Sequence, residues 1–126
     1  MEICSSKVLN ILFVFGEAGS VGLHISAAEN FGAAVCACRS IESVRYKDTA
    51  VNRDDVYLVQ TPQCFKYEII KKAYETPYKD SFTDDASVVE AMGEKIHIVE
   101  GSRRNIKMTT LLDFKIAEIL INEGEY

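Results

Sequence analysis

Residues 33–38 read Ala-Ala-Val-Cys-Ala-Cys, a short run of small apolar side chains with no polar residue in it. An apolar run of this length is typical of a strand that is buried on both faces of a sheet. Gly32, just before it, suits the position that follows a helix, where the backbone often needs a positive φ. We therefore predict a central strand at Ala33–Cys38 that follows directly on a helix.

Outward from this strand, strand-like and helix-like patterns alternate along the chain. The predicted strands are Leu9–Phe15, Ala33–Cys38, Asp55–Gln60 and Lys95–Val99. The predicted helices are His24–Phe31, Phe65–Tyr74, a third that starts between Thr83 and Ser87 and stops at Gly93, and Leu111–Ile121. This alternation predicts one α/β domain, a Rossmann-like and mainly parallel sheet with flanking helices.

The ends of several elements carry recognisable signals. Proline has no amide hydrogen for the strand ladder, so Thr61-Pro62 is expected to end the third strand. Ser87 and Glu90 have the spacing of a capping box for the third helix, and Thr83, Asp84 and Asp85 are equally good caps.

The last helix has a clearer start. Thr110 and Asp113 have the capping-box spacing and open the helix at Leu111. Its buried stripe is expected at the apolar positions that recur every three or four residues, namely Leu112, Ile116, Ile119 and Leu120.

The segment 39–56 departs from the alternating pattern, because it is rich in charges and has no continuous apolar face. Ser43–Tyr46 and Thr49–Asn52, on either side of Lys47-Asp48, predict a β-hairpin arm that protrudes from the domain. An isolated two-stranded hairpin is marginally stable in water. We therefore expect the arm to pack against a second subunit.

Composition narrows the classes of function. The chain has 126 residues, with 14 basic and 19 acidic side chains and a net charge of −5. This balance argues against a nucleic-acid binder, and no apolar run reaches the about 18 residues of a membrane span.

The four cysteines, at positions 4, 36, 38 and 64, lack zinc-site spacing, so we expect buried, reduced thiols in a cytoplasmic protein.

No complete catalytic motif is present, and the lone histidines His24 and His97 are expected to have structural or solvent roles.

Ligands of open α/β sheets bind outside the carboxyl ends of strands, and a phosphate ester there needs cations and hydroxyl donors. Thr61, Lys107 and the arm residue Arg53 fit that requirement.

Two alternatives remain open at this point. The basic residues Arg53, Arg103, Arg104 and Lys107 would equally form a solvated basic face. The Asp84-Asp85 pair would bind a metal ion or, as carboxylates favoured at helix N-termini, cap the third helix.

Four stretches carry a resemblance to a known family: GAAV at 32–35, RDDVYLVQTPQCF at 53–65, TDDASVVEAMG at 83–93 and IHIVEGSRRNIKMTT at 96–110. In order and spacing, the chain from about Ile25 to Ile121 resembles the C-terminal half of the 2-C-methyl-D-erythritol 4-phosphate cytidylyltransferases. Related ribitol-phosphate cytidylyltransferases share pieces like QTPQ and NIKITT, whereas the intact TDDASVVE is more similar to the erythritol enzymes.

The resemblance implies transfer of CMP from CTP to a sugar-alcohol phosphate, with magnesium as cofactor and pyrophosphate as product. It implies that Lys107 is a catalytic lysine that contacts phosphate and that Thr61 lies in the substrate pocket. It further implies that 39–56 is the arm of a homodimer and that Arg53 reaches the substrate phosphate in the partner subunit. Ser43 stands where the family usually has a substrate-binding threonine.

The front of the family pattern has no counterpart in residues 1–24. The family's glycine-rich CTP-binding loop is missing, and positions 9–14 read Leu-Asn-Ile-Leu-Phe-Val in place of its H-D-x-x-R-P segment. We therefore expect a partial cytidylyltransferase domain that is inactive alone, through either truncation or a mis-assigned start. Ribitol-5-phosphate cytidylyltransferase and a non-catalytic remnant that only dimerises remain alternatives.

Overall fold

The computed structural model describes residues 7–10 and 18–124, with side-chain environments from residue 22 onward. In chain order the elements are β1 Lys7–Asn10, α1 Ala18–Phe31, β2 Ala33–Arg39, β3 Val44–Tyr46, β4 Thr49–Val51, a 3-10 turn Arg53–Asp55, β5 Tyr57–Lys66, α2 Tyr67–Ala73, α3 Asp85–Ala91, β6 His97–Glu100 and α4 Leu111–Asn122. Residues 11–15 of the first predicted strand, and Cys4, lie outside the described residues. None of the helices described is both long and apolar enough to cross a membrane.

The main sheet has four described strands in the order β1-β5-β2-β6. β5 pairs antiparallel with β1 and with β2, and β2 pairs parallel with β6. The α/β class is confirmed. Within the described strands, however, the sheet is mixed, so the prediction of a mainly parallel sheet is wrong. The reason is that the chain passes from β2 to β5 through the arm, and antiparallel neighbours need no helical crossover.

The central position of β2 is confirmed, since it lies between β5 and β6 and residues 33–37 are all buried. Successive side chains of a strand point to opposite faces. Ala33 and Val35 accordingly join a core cluster with α2 and α3 on one face, while Ala34 packs with Ala28 of α1 on the other. Gly32 ends α1 with φ of 92°, as expected for the residue after a helix.

β5 continues through the Thr61-Pro62 peptide, which is cis, so the prediction that the proline ends this strand is wrong. Val35 pairs with Gln63 and Ala37 pairs with Val59, which leaves residues 60–62 opposite the single residue Cys36. A proline is tolerated in such a bulge because no ladder hydrogen bond is required from it. Two polar residues, Gln60 and Thr61, are thereby displaced from regular pairing.

The arm is present as predicted, with β3 and β4 paired antiparallel and Lys47 in the turn at φ of 56°. Cys36 and Cys64 are buried, as expected, whereas Cys38 is only half-buried, and all three are free thiols. His24 is buried in α1, and the ring of His97 stacks on Phe31 with the ring centres 3.9 Å apart.

The predicted buried stripe of α4 is wrong. Leu112 is 64% exposed and Ile119 is 55% exposed, and the only buried α4 residue is Ala117. Apolar periodicity marks the side of a helix that is suited to burial, but burial needs a facing surface. The described part of the chain does not provide one for α4.

Candidate functional site

A cavity of about 600 Å³ lies where β5, the start of α3 and the loop after β6 meet. Its volume is within the range of small-molecule sites. Polar side chains dominate the lining, which consists of Val59, Gln60, Thr61, Gln63, Thr83, Asp84, Asp85, Asn105 and Lys107. Two of these lining residues, Gln60 and Thr61, belong to the β5 bulge.

The structure brings Thr61 and Lys107 together in this cavity, although they belong to different segments of the chain. Ser43 and Arg53 do not line this cavity and lie in the arm. Arg53 donates from Nη1 to the carbonyl oxygen of Ile41 at 2.8 Å. These two residues therefore take no part in the cavity of their own chain.

Arg103 and Arg104 are also outside the cavity lining. Arg103 is exposed and forms an ion pair with Glu42 at 3.5 Å, which ties the loop after β6 to the base of the arm. Backbone and side-chain hydrogen bonds, together with the Arg103 guanidinium, hold the pKa of Glu42 below its ordinary value. Of the basic residues considered above, Lys107 alone belongs to the cavity.

Asp84 is the N-cap of α3, whereas the other candidate caps, Thr83, Asp85 and Ser87, are not. Asp84 Oδ1 accepts a hydrogen bond from the Ser87 amide at 2.9 Å, and the Ser87 hydroxyl accepts one from the Asp84 amide at 3.2 Å. The buried Gln63 donates from Nε2 to Asp84 Oδ2 at 3.0 Å and accepts from the Ala86 amide at 3.2 Å. Gln63 thus fastens the start of α3 to β5.

The Asp84-Asp85 pair is a poor site for a metal ion. Both carboxylate oxygens of Asp84 already accept hydrogen bonds, and the Tyr74 hydroxyl donates to Asp85. That hydrogen bond raises the pKa of Tyr74 to about 12. In the described ranges, no group of three or more His, Cys, Asp or Glu side chains is arranged to hold a metal ion.

Two amide side chains that sequence reasoning missed join the loop wall to the strand wall. Gln60 donates from Nε2 to the carbonyl oxygens of Ser102 at 2.7 Å and Asn105 at 3.1 Å. Asn105 donates from Nδ2 to the carbonyl oxygen of Thr61 at 2.6 Å. The available signal was their position, since Gln60 precedes Thr61 and Asn105 opens the N-I-K motif of Lys107.

The cavity lining combines the Lys107 ammonium with the carboxylates of Asp84 and Asp85, so a phosphate ester there would depend on Lys107 and neutral donors rather than on net positive charge. No described carboxylate forms an ion pair with the Lys107 amine. The carboxylate of Asp84 is offset by the amide donors of Ser87 and Gln63. An ammonium group beside the hydroxyls of Thr61 and Thr83 is a set of donors that a phosphate accepts.

Comparison with protein families gives a match over residues 25–123 to the model described as IspD: 2-C-methyl-D-erythritol 4-phosphate cytidylyltransferase. Curated relatives with that name include a protein of Phocaeicola vulgatus, 48% identical over 130 residues, and one of Bacteroides fragilis, 49% identical over 85 residues. These alignments cover 88% and 64% of this chain. The chain spans 59% and 39% of the lengths of the two relatives.

Solved structures give the same result at the level of the fold. The 4-diphosphocytidyl-2C-methyl-D-erythritol synthase of Anaerococcus prevotii matches 97% of this chain and 61% of its own, with a TM-score of 0.84 and 30% identity. The 2-C-methyl-D-erythritol 4-phosphate cytidylyltransferase of Thermus thermophilus matches 86% of this chain and 57% of its own, with a TM-score of 0.73 and 28% identity. Both comparisons cover the larger part of the described sheet and helices.

Proposed function

This chain belongs to the 2-C-methyl-D-erythritol 4-phosphate cytidylyltransferase family, and from that premise we propose that it forms the sugar-phosphate side of such an enzyme's active site. The proposed reaction transfers CMP from CTP to 2-C-methyl-D-erythritol 4-phosphate and releases pyrophosphate, a step of non-mevalonate isoprenoid biosynthesis. The observation that carries the proposal is the shared cavity of Thr61 and Lys107.

In this reaction a phosphate oxygen of the sugar phosphate attacks the α-phosphorus of CTP, and the bond from that phosphorus to the β-phosphate oxygen breaks. Such a transfer depends on positioning and on positive charge around the reacting phosphates. In our proposal Lys107 offsets the negative charge of the reacting phosphates, and the Thr61 hydroxyl donates to the substrate. The donors for the triphosphate come from outside the described residues.

Magnesium is proposed as the cofactor, with the triphosphate rather than this chain as its main ligand. Mg²⁺ keeps several waters and commonly binds through substrate phosphates, where it neutralises charge. Among the described residues no group of three or more His, Cys, Asp or Glu side chains is arranged to hold a metal ion, which supports this assignment.

We further propose that the arm 39–56 contacts a second copy of the chain in a cytoplasmic homodimer, in which Ser43 and Arg53 face the partner's substrate. The exposure of the residues at 45–50 supports a role in contacting another surface. The hydrogen bond from Arg39 Nη1 to the Asp54 carbonyl oxygen, at 2.9 Å, fastens the base of the arm to β2. The free thiols agree with a reducing compartment.

Calorimetric titration of the chain with 2-C-methyl-D-erythritol 4-phosphate tests the proposal. We expect Lys107→Ala to weaken the affinity about tenfold or more, the scale for a hydrogen bond to a charged group. Lys115→Ala removes the same charge from exposed α4, outside the cavity lining, and should leave the affinity unchanged.

Other outcomes contradict the proposal in specific ways. Equal binding by the Lys107→Ala variant would remove the lysine from the site, and tighter binding of D-ribitol 5-phosphate would favour the ribitol enzymes. Absence of binding to either sugar phosphate would favour a remnant that only dimerises. With CTP added, we expect no pyrophosphate release by these 126 residues alone, which lack the glycine-rich loop of the family pattern.

A further inference from the structure

We propose that Gln60 and Asn105 are positioning residues, whose side-chain amides hold the loop of Lys107 against the strand of Thr61. We call this pair, together with the thiol of Cys36 beneath it, the amide clamp. The inference deepens the proposed function and rests on it for the identity of the ligand, a sugar phosphate. The clamp itself is a property of the fold that is measurable without ligand.

Apart from Gln60 and Asn105, the ion pair between Arg103 and Glu42 also ties the loop after β6 to the base of the arm. From Gly101 to Thr110 the loop forms no helix or strand, and Lys107 itself is exposed. The Gly101 amide bonds to the Ala37 carbonyl oxygen at 2.9 Å, which continues the β2–β6 pairing by one residue. Beyond it, the Asn105 amide bonds only within the loop, to the Ser102 carbonyl oxygen at 3.0 Å.

Gln60 supplies the first contact between this loop and β5. Its Nε2 donates to the Ser102 carbonyl oxygen at 2.7 Å and to the Asn105 carbonyl oxygen at 3.1 Å, so one side chain satisfies two loop carbonyls. Its Oε1 accepts from the Cys36 thiol, with 3.5 Å between the sulfur and the oxygen. The β5 bulge is what turns Gln60 out of the ladder and toward the loop.

Asn105 supplies the second contact, in the opposite direction. Its Nδ2 donates to the Thr61 carbonyl oxygen at 2.6 Å and lies 3.8 Å from the Cys36 sulfur. Burial is the main cause that raises the pKa of the Cys36 thiol, which keeps its proton available for Gln60. The two amides and the thiol therefore form a closed set of hydrogen bonds, with Thr61 on one side and Lys107 two residues beyond Asn105.

Gly101 shows how closely the clamp is packed. A Cβ added at this residue would lie 2.1 Å from Gln60 Oε1 and 2.7 Å from Cys36 Sγ. Both distances are far below van der Waals contact, so any larger residue at 101 displaces Gln60. Reaction rates are sensitive to misplacement of about 1 Å, which makes the fixed separation of Thr61 and Lys107 functionally relevant.

The test combines amide hydrogen exchange of residues 101–107 with titration of 2-C-methyl-D-erythritol 4-phosphate. Gln60→Met and Asn105→Leu approximate the side-chain shape, add no charge and remove the donors. We expect each to speed exchange of the Asn105 and Ile106 amides about tenfold, and to weaken sugar-phosphate affinity by a similar factor, the scale of one unmade hydrogen bond. Gly101→Ala should have the same effects without removing a donor.

Matched controls exclude general loosening of the fold. Gly22→Ala adds a Cβ that meets nothing within 4 Å, and Asn122→Ala removes an exposed amide at the end of α4. Neither should change loop exchange or affinity. In the clamp variants, exchange in α2 and α3 should stay at the wild-type rate, because a purely structural role would loosen those helices too.

The outcomes separate the clamp from the proposed function. Unchanged loop exchange in Gln60→Met and Asn105→Leu overturns the clamp, whatever the affinity. Faster exchange with unchanged affinity overturns the positioning role. If the wild-type chain binds no sugar phosphate, the proposed function and the positioning role that rests on it both fail, whereas faster loop exchange in the variants still supports the clamp.

Discussion

Helices α3 and α4 begin in the same way and end up in different environments. Asp84 with Ser87 and Thr110 with Asp113 both form reciprocal capping boxes. α3 buries three of its seven residues, whereas α4 buries only one of its twelve. The comparison teaches that a capping motif specifies where a helix starts, while packing against neighbouring elements decides what the helix stabilises.

The packing of α3 comes from elements on both sides of it. Its buried residues Ala86, Val88 and Val89 join one cluster with β2, β5 and α2. α4 instead leaves most of its apolar side chains exposed, namely Leu111, Leu112, Phe114, Ile116, Ile119 and Ile121. We expect the free energy of unfolding to depend strongly on the α3 cluster and weakly on α4.

The largest effect is expected from a matched pair of phenylalanines. Phe65, 2% exposed, lies in the α3 cluster, and Phe114, 56% exposed, lies on α4. Phe65→Ala should lower the free energy of unfolding by about 3–5 kcal/mol, because it leaves a core cavity. Phe114→Ala should lower it by less than about 1 kcal/mol. Urea unfolding measures both, and equal losses would mean that α4 packs as firmly as α3.

The two N-caps are expected to differ less in how much each contributes to the free energy of unfolding. Asp84→Ala removes the acceptor of the Ser87 amide and leaves the buried Gln63 without its carboxylate partner. The loss of stability should be about 2 kcal/mol, the upper part of the range for caps. Thr110→Ala should cost about 1 kcal/mol or less, since its surroundings are exposed. A larger loss for Thr110→Ala in urea unfolding would reverse the comparison.

The smallest effect concerns the pH dependence of the α4 capping box. Hydrogen bonds from the Thr109 and Thr110 amides and the Thr110 hydroxyl lower the pKa of Asp113 from 3.8 to about 2. Because the folded pKa is the lower one, its contribution to the capping of α4 is complete above pH 3.8 and is lost as the pH falls through about 2. In the α3 box the carboxylate belongs to the N-cap Asp84, and the residue equivalent to Asp113 is the neutral Ser87.

NMR titration of the Asp113 carboxyl carbon and of the Thr110 amide measures this transition directly. Asp113→Asn should abolish the Thr110 amide response between pH 4 and 2. A carboxyl that titrates at its ordinary pKa would show that the capping box of α4 does not form in solution.

Much of the secondary structure could be predicted because its signals are local. The apolar run at Ala33–Cys38, the glycine at 32 and the box of Thr110 with Asp113 each act over a few residues, and each lies where predicted. The continuation of β5 through Pro62 could not be predicted, because a proline is tolerated there only through the register that Cys36 imposes on the opposite strand.

The candidate site, like the fold, could be predicted from the sequence only in part. Thr61 and Lys107 were singled out from motifs, and both line one cavity, while their roles in binding stay a prediction. The roles of Gln60 and Asn105 were missed, because their partners are backbone carbonyls of distant segments. An amide side chain gives no sign in the sequence of which carbonyl it will meet.

Local sequence was sufficient for the start of α4, the buried central strand, the hairpin arm and the family pattern, since short-range sterics, hydrogen bonds and apolar periodicity specify them. It was not sufficient for the start of α1, which lies at Ala18 rather than at His24. Only the tertiary structure decided the antiparallel pairing of β5, the bulge beside Cys36, the amide contacts of the cavity and the exposure of α4. The physical reason is that burial and long-range hydrogen bonds are properties of pairs of segments, and which segments meet is settled by the fold as a whole.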